Sequence, residues 1–168
     1  MKPYHRLGHL VGRFFGAVGA RVDPGELGVL DRYLGPAERA LFLTMGIADQ
    51  RHSLDLCRRL RCDGHADPDL LRAALLHDVG KSVGPLPVPY RVIYALCRLV
   101  NPKLARWLGQ RERPTLVRPF YFAAHHAGLG ALAAERAGSN PRVIQLIERH
   151  EAPNDQLSFL LYRYDGEM

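Results

Sequence analysis

The chain has 168 residues, 47 % of them apolar and 24 % charged, a balance that excludes a disordered or fibrous protein and gives enough sequence for one domain with a real core. No run of about 18 apolar residues is present to span a bilayer, and Arg6, His9 and Arg13 interrupt any signal-peptide core, so the expected location is cytoplasmic. The net charge of +6 favours anionic partners without choosing among phosphorylated metabolites, nucleic acid and a membrane surface.

In chain order, residues 3–20 carry the spacing of an amphipathic helix, with Leu7, Leu10, Val11, Phe14, Phe15 and Val18 on one face. Asp23-Pro24 opens a second helix with Asp as N-cap, and Gly35-Pro36 separates it from a third over 36–45. A helix over about 48–61 ends near Asp63-Gly64, and Asp67-Pro68 starts the next, whose apolar run ends in His77-Asp78 and stops at Gly80. Gly84, Pro85, Pro87 and Pro89 bar its continuation. Residues 90–108 read as helix broken at Asn101-Pro102, and another spans about 118–137, closed by Gly138. Asn140-Pro141 opens a helix ending by Pro153, and Asn154 or Asp155 caps a last one reaching about Asp165. No alternating strand, internal repeat or linker interrupts this pattern. The expected fold is an all-α, compact single-domain bundle over 1–168, with residues 1–47 as an N-terminal helical extension packed on a core of 48–165.

Several polar residues sit where this periodicity demands core. His52 shares a stripe with Ala48, Leu56 and Leu60; His150 with Val143, Leu146 and Ile147; His126 with Phe122, Leu129, Gly130 and Ala133. Asp165 ends the face made by Leu157, Leu161 and Tyr164, and His77-Asp78 closes an apolar run. One inward histidine is ordinarily a hydrogen-bonded core residue. Several inward His and Asp residues from separate helices of one bundle are what helical metal sites are made from. A divalent cation offsets the cost of burying an imidazole beside a carboxylate.

Taken in order, His52, His77-Asp78, His126, His150 and Asp165 resemble the H…HD…H…H…D pattern of the HD superfamily of metal-dependent phosphohydrolases. The local contexts are similar too: Asp49-Gln50-Arg51-His52-Ser53, Leu75-Leu76-His77-Asp78-Val79-Gly80-Lys81, His126-Ala127-Gly128-Leu129-Gly130-Ala131, the segment 143–151, and Leu160-Leu161-Tyr162-Arg163-Tyr164-Asp165. The resemblance covers about residues 48–165. It implies an HD-type helical bundle in which His52, His77, Asp78 and Asp165 hold one divalent metal, His126 and His150 add a second, and Asp78 bridges the two. All six positions are kept, which favours two ions over one. The mixed nitrogen and oxygen donors suit Mn, Fe, Co, Ni or Zn better than Mg.

The implied activity is hydrolysis of a phosphate mono- or diester by metal-activated water, on a phosphorylated, nucleotide-like small molecule, with Asp78 and Lys81 as catalytic residues. Lys81 meets either a substrate phosphate or the Asp78 carboxylate, or else is a solvated lysine. His125 precedes His126, and only one of two adjacent helical residues is expected to reach the site. The Gly-Tyr-Pro extension of cyclic-di-nucleotide phosphodiesterases is missing, because His150-Glu151 leads into Ala152-Pro153-Asn154-Asp155. Asp155 is either a helix cap or a general acid. Arg91, Arg98, Lys103, Arg106, Arg111, Arg113 and Arg118, against Glu112 alone, form either a solvated basic face or a lid drawing phosphorylated substrate inward. A stable nucleic-acid complex is not expected, and peripheral membrane contact is the less favoured reading. The alternatives on this scaffold are a diiron oxygenase and a non-catalytic nucleotide-binding signalling module.

Overall fold

The computed structural model describes residues 19–110 and 115–167, all of whose regular structure is helical. The expected helix over 3–20 and the bases Arg111 and Arg113 lie outside the described residues, apart from the last two positions of that helix. A 3₁₀ turn over Pro24–Leu27 leads into α1 (Gly28–Tyr33), followed by α2 (Pro36–Leu43), α3 (Ile47–Cys62) and α4 (Pro68–Leu76). A second 3₁₀ turn over Val79–Ser82 precedes α5 (Val88–Val100) and α6 (Pro102–Gly109). The 3₁₀ turn Thr115–Val117 feeds α7 (Arg118–Arg136), and α8 (Pro141–Arg149) and α9 (Gln156–Gly166) complete the chain.

The caps that the sequence supplies start these helices. Asp23 accepts the Gly25 amide and forms a capping box with Glu26, Asp67 accepts from Leu70, Asn101 from Leu104, Asn140 from Val143, and Asp155 from Ser158. Asp63-Gly64 ends α3 through Gly64 at φ +87, a conformation a side chain rarely tolerates. Two expectations need correction. The helix after Asp23 divides into a 3₁₀ turn and a short α1. The helix expected from residue 90 begins at Val88, so Pro89 sits inside the first turn of α5, where its missing N–H has no partner to lose.

The short helix α4 is the axle of the bundle. Leu70, Leu71, Ala73, Ala74, Leu75 and Leu76 are all buried, because α3, α8, α9 and the N-terminal helices pack around it. The main core joins these leucines to Leu30, Phe42, Leu56, Leu60, Val143, Leu146, Ile147 and Leu161. A smaller cluster of Leu86, Phe122 and Ala123, flanked by Tyr90 and Tyr94, joins α5 to α7. The last four residues of α4, Ala73 to Leu76, are all buried, so the helix ends inside the protein, at His77-Asp78.

Candidate metal centre

His77 caps α4 in helical conformation, while Asp78 turns out of the helix at φ −95, ψ 0, in the bridge region where reactive residues often sit. This single change of direction gives two consecutive residues separate tasks. Both are fully enclosed, at 0 % and 2 % exposure. Gly80 then passes so close to α7 that a Cβ there would lie 1.8 Å from the His126 carbonyl oxygen. The loop after Asp78 therefore sits against the turn of α7 that carries His126. Sequence reasoning assigned Gly80 only the stopping of a helix; its larger role is this approach, which Gly130 shares from the other side.

Around Asp78 stand two donor groups. His52, His77 and Asp78 each offer a ligand atom within 4.8 Å of the others, and so do Asp78, His126 and His150. Asp78 belongs to both: its Oδ2 is 3.5 Å from His77 Nε2 and its Oδ1 3.8 Å from His126 Nε2. Asp165, from the last turn of α9, places Oδ1 2.7 Å from His52 Nε2 and 3.6 Å from His77 Nε2. The four imidazoles form a chain of edge contacts, His52 to His77 to His150 to His126, with centroids 5.1 to 5.4 Å apart. All six residues singled out from the sequence thus converge, from α3, the end of α4, α7, the end of α8 and α9.

Three of the histidines share one supporting contact. His77, His126 and His150 each place Nδ1 2.7 to 3.0 Å from the carbonyl three residues earlier, on Ala74, Ala123 and Ile147. A carbonyl can only accept, so Nδ1 carries the proton and Nε2 keeps its lone pair pointing into the cluster. Metal-binding histidines are oriented in this way. His77 Nε2 is buried with no hydrogen-bond partner at all. An orphaned nitrogen between carboxylates, with other lone pairs aimed at the same space, fits a divalent cation.

Electrostatics follow the same division. Burial alone would lower the His77 pKa, but the Asp78 and Asp165 carboxylates outweigh it and raise the value. Burial opposes the charge on Asp78, yet Lys81 and His77 hold its carboxyl well below the usual range. On the other side, burial lowers His126, helped by Lys81, and burial with the neighbouring His77 and His126 brings His150 down to about 4. His126 and His150 are therefore neutral donors at ordinary pH.

The remaining candidates fall into place around this centre. Lys81 reaches Asp78 Oδ2 at 2.5 Å and is not a solvated lysine. His125 is exposed on the adjoining face of α7 and bonds the Gly109 carbonyl through Nε2 at 2.9 Å, so His126 is the residue that faces the site. Asp155 caps α9 and pairs with Arg142 at 2.7 Å, away from the cluster. Two members of the basic segment are paired with acids: Arg91 bonds both oxygens of Asp49, and the half-exposed Arg98 reaches Glu151 at 2.5 Å. Asp49 lies one turn before His52, and Glu151 directly follows His150. These two acids were not singled out from the sequence, although each adjoins a histidine of the pattern.

No protein-family profile, curated protein or solved structure matches this chain.

Proposed function

We propose that this chain is an HD-type metal-dependent phosphohydrolase acting on a phosphate mono- or diester of a nucleotide-like small molecule. The observation that carries the reading is the orphaned His77 Nε2 within a six-residue His/Asp cluster whose histidines are oriented by backbone carbonyls. Family resemblance and this donor set are independent supports, since the Nδ1 contacts are not visible in any motif.

His52, His77, Asp78 and Asp165 would hold one ion, and His126 and His150 a second, with Asp78 common to both groups. The mixed donors favour Mn, Fe, Co, Ni or Zn over Mg. The chemistry such an ion supplies is Lewis-acid polarisation of a phosphoryl group and a lowered pKa for the attacking water. His77, Asp78, His126 and His150 are buried, so their charges and dipoles act in a medium that water does not screen. His52, Asp165 and Lys81 are each 15–20 % exposed and mark the open side of the cluster, by which a phosphate would enter. Lys81 there neutralises Asp78 and offers an ammonium to phosphate oxygens.

The test begins with protein purified without chelator, its metal content counted, and hydrolysis assayed on a broad phosphoester panel with added Mn, Fe, Co and Ni. The expected result is one or two ions per chain and turnover lost in Asp78→Asn. A mixed-valence diiron signal without hydrolysis would replace this reading by oxygen chemistry. Tight nucleotide binding without turnover would replace it by a signalling module.

A further inference from the structure

Helix α5 packs inward through Tyr90 and Tyr94 but carries a second apolar strip on its outward side. Arg91 and Arg98, seven residues and two turns apart, pair with Asp49 and Glu151 of the bundle, Arg98 remaining half exposed. Ile93 and Val100, also seven apart, lie on the opposite side and are 46 % and 80 % exposed. None of the 13 residues of α5 is buried. In α6 the same outward display continues with Leu104 and Trp107, 41 % and 50 % exposed, beside the exposed bases Lys103 and Arg106. An aliphatic strip left facing outward marks a covered surface.

Charge selects what covers it. Between residues 79 and 134 the sequence has eight Lys and Arg and one acid, Glu112, so this stretch carries the chain's entire positive excess. A second copy would present the same cations. Residues 1–18, with Lys2, Arg6, Arg13 and no acid, are no better matched. The complement is anionic. Exposed aliphatic residues, a tryptophan and flanking Lys and Arg on two consecutive helices are a combination suited to the headgroup boundary of an anionic bilayer. No helix among the described residues is long and apolar enough to cross a membrane, so the contact would be in the plane of the surface.

We propose that the outward face of α5 and α6 docks the protein onto an anionic lipid surface. The docking hairpin is tied by Arg91–Asp49 and Arg98–Glu151 to the segments that carry His52 and His150, so it would hold the metal centre at the membrane. This inference stands apart from the hydrolase reading, because its test needs no activity.

The sole tryptophan of the chain is Trp107, a native probe on the proposed face. The full chain is mixed with phosphatidylcholine vesicles containing about 30 % phosphatidylserine, and with pure phosphatidylcholine vesicles, at low and high salt. Expected are co-sedimentation with the anionic vesicles at low salt, a blue shift of Trp107 emission, and release at high salt. Ile93→Glu with Val100→Glu should weaken binding at least about tenfold while helix content and metal content stay unchanged. Lys103→Glu with Arg106→Glu should weaken it as well. Folded protein that ignores anionic vesicles at low salt overturns the proposal, as does equal binding by the Ile93/Val100 variant. A Trp107 shift that follows protein concentration without lipid, or binding to an acidic polypeptide but not to vesicles, also overturns it by assigning the face to another occupant.

Discussion

Lys81 Nζ lies 2.5 Å from Asp78 Oδ2, placing an ammonium on the carboxylate shared by both donor groups. In metal-free protein this lysine, with His77, helps to keep the buried Asp78 charged. Lys81→Met should destabilise chelator-treated protein by about 2 kcal/mol, below the usual loss for a broken buried pair because Lys81 is partly exposed. Metal-loaded protein should lose less, since a cation already faces Asp78. Urea unfolding with and without chelator measures both, and an equal loss in the two states would show that Lys81 acts elsewhere.

The two groups around Asp78 can be separated by mutation. His126→Ala removes a donor from one group only, whereas Asp78→Asn weakens both. Metal analysis should find the bound metal reduced in the first variant and absent in the second. His125→Ala should keep the wild-type content, because that ring bonds the Gly109 carbonyl on another face. Unchanged metal in His126→Ala together with loss in His125→Ala would reverse this assignment.

Gly80→Ala should be among the most damaging single-methyl changes in the chain. The added carbon meets backbone at 1.8 Å on His126 and 2.7 Å on Gly130, and neither can move without moving α7. A loss of about 3 kcal/mol is the scale for overpacking against rigid neighbours. The melting temperature and the metal content should fall together. Gly128→Ala meets nothing within 4 Å and provides the control on the same helix.

The metal-free protein should weaken as pH falls from about 6.5 towards 4. His150, brought down to about 4 by burial and its histidine neighbours, and His126, also lowered, stay neutral in the fold while the unfolded chain takes up protons. The unfolded state then binds more protons, so stability drops with pH; His150 alone accounts for roughly 3 kcal/mol across that window. His77 works the other way, since its raised value adds stability below about 6.5 that is lost as pH rises through it. The expected outcome is a net decline, with the lowered His150 and His126 outweighing His77. Denaturant midpoints at several pH values with chelator present measure it, and a flat profile would contradict this balance.

The helices and the candidate ligands were legible in the sequence because both are local or periodic properties. Asp67 and Asn140 announce helix starts through side-chain chemistry alone, the choice of Asp155 over Asn154 as the last cap needed the structure, and the leucines of α4 announce a buried helix. The stripe positions of His52, His126 and His150 require them to face inward. What the sequence left open was every distance between elements. His125 and His126 are equivalent until the rotation of α7 is set by packing against Gly80. Arg91 and Arg98 read as part of either a solvated basic face or a lid until Asp49 and Glu151, 42 and 53 residues away, are seen to pair with them. The outward aliphatic face of α5 follows from those two ion pairs. Periodicity fixes which residues share a helical face; only the packing of helices against one another decides where that face points.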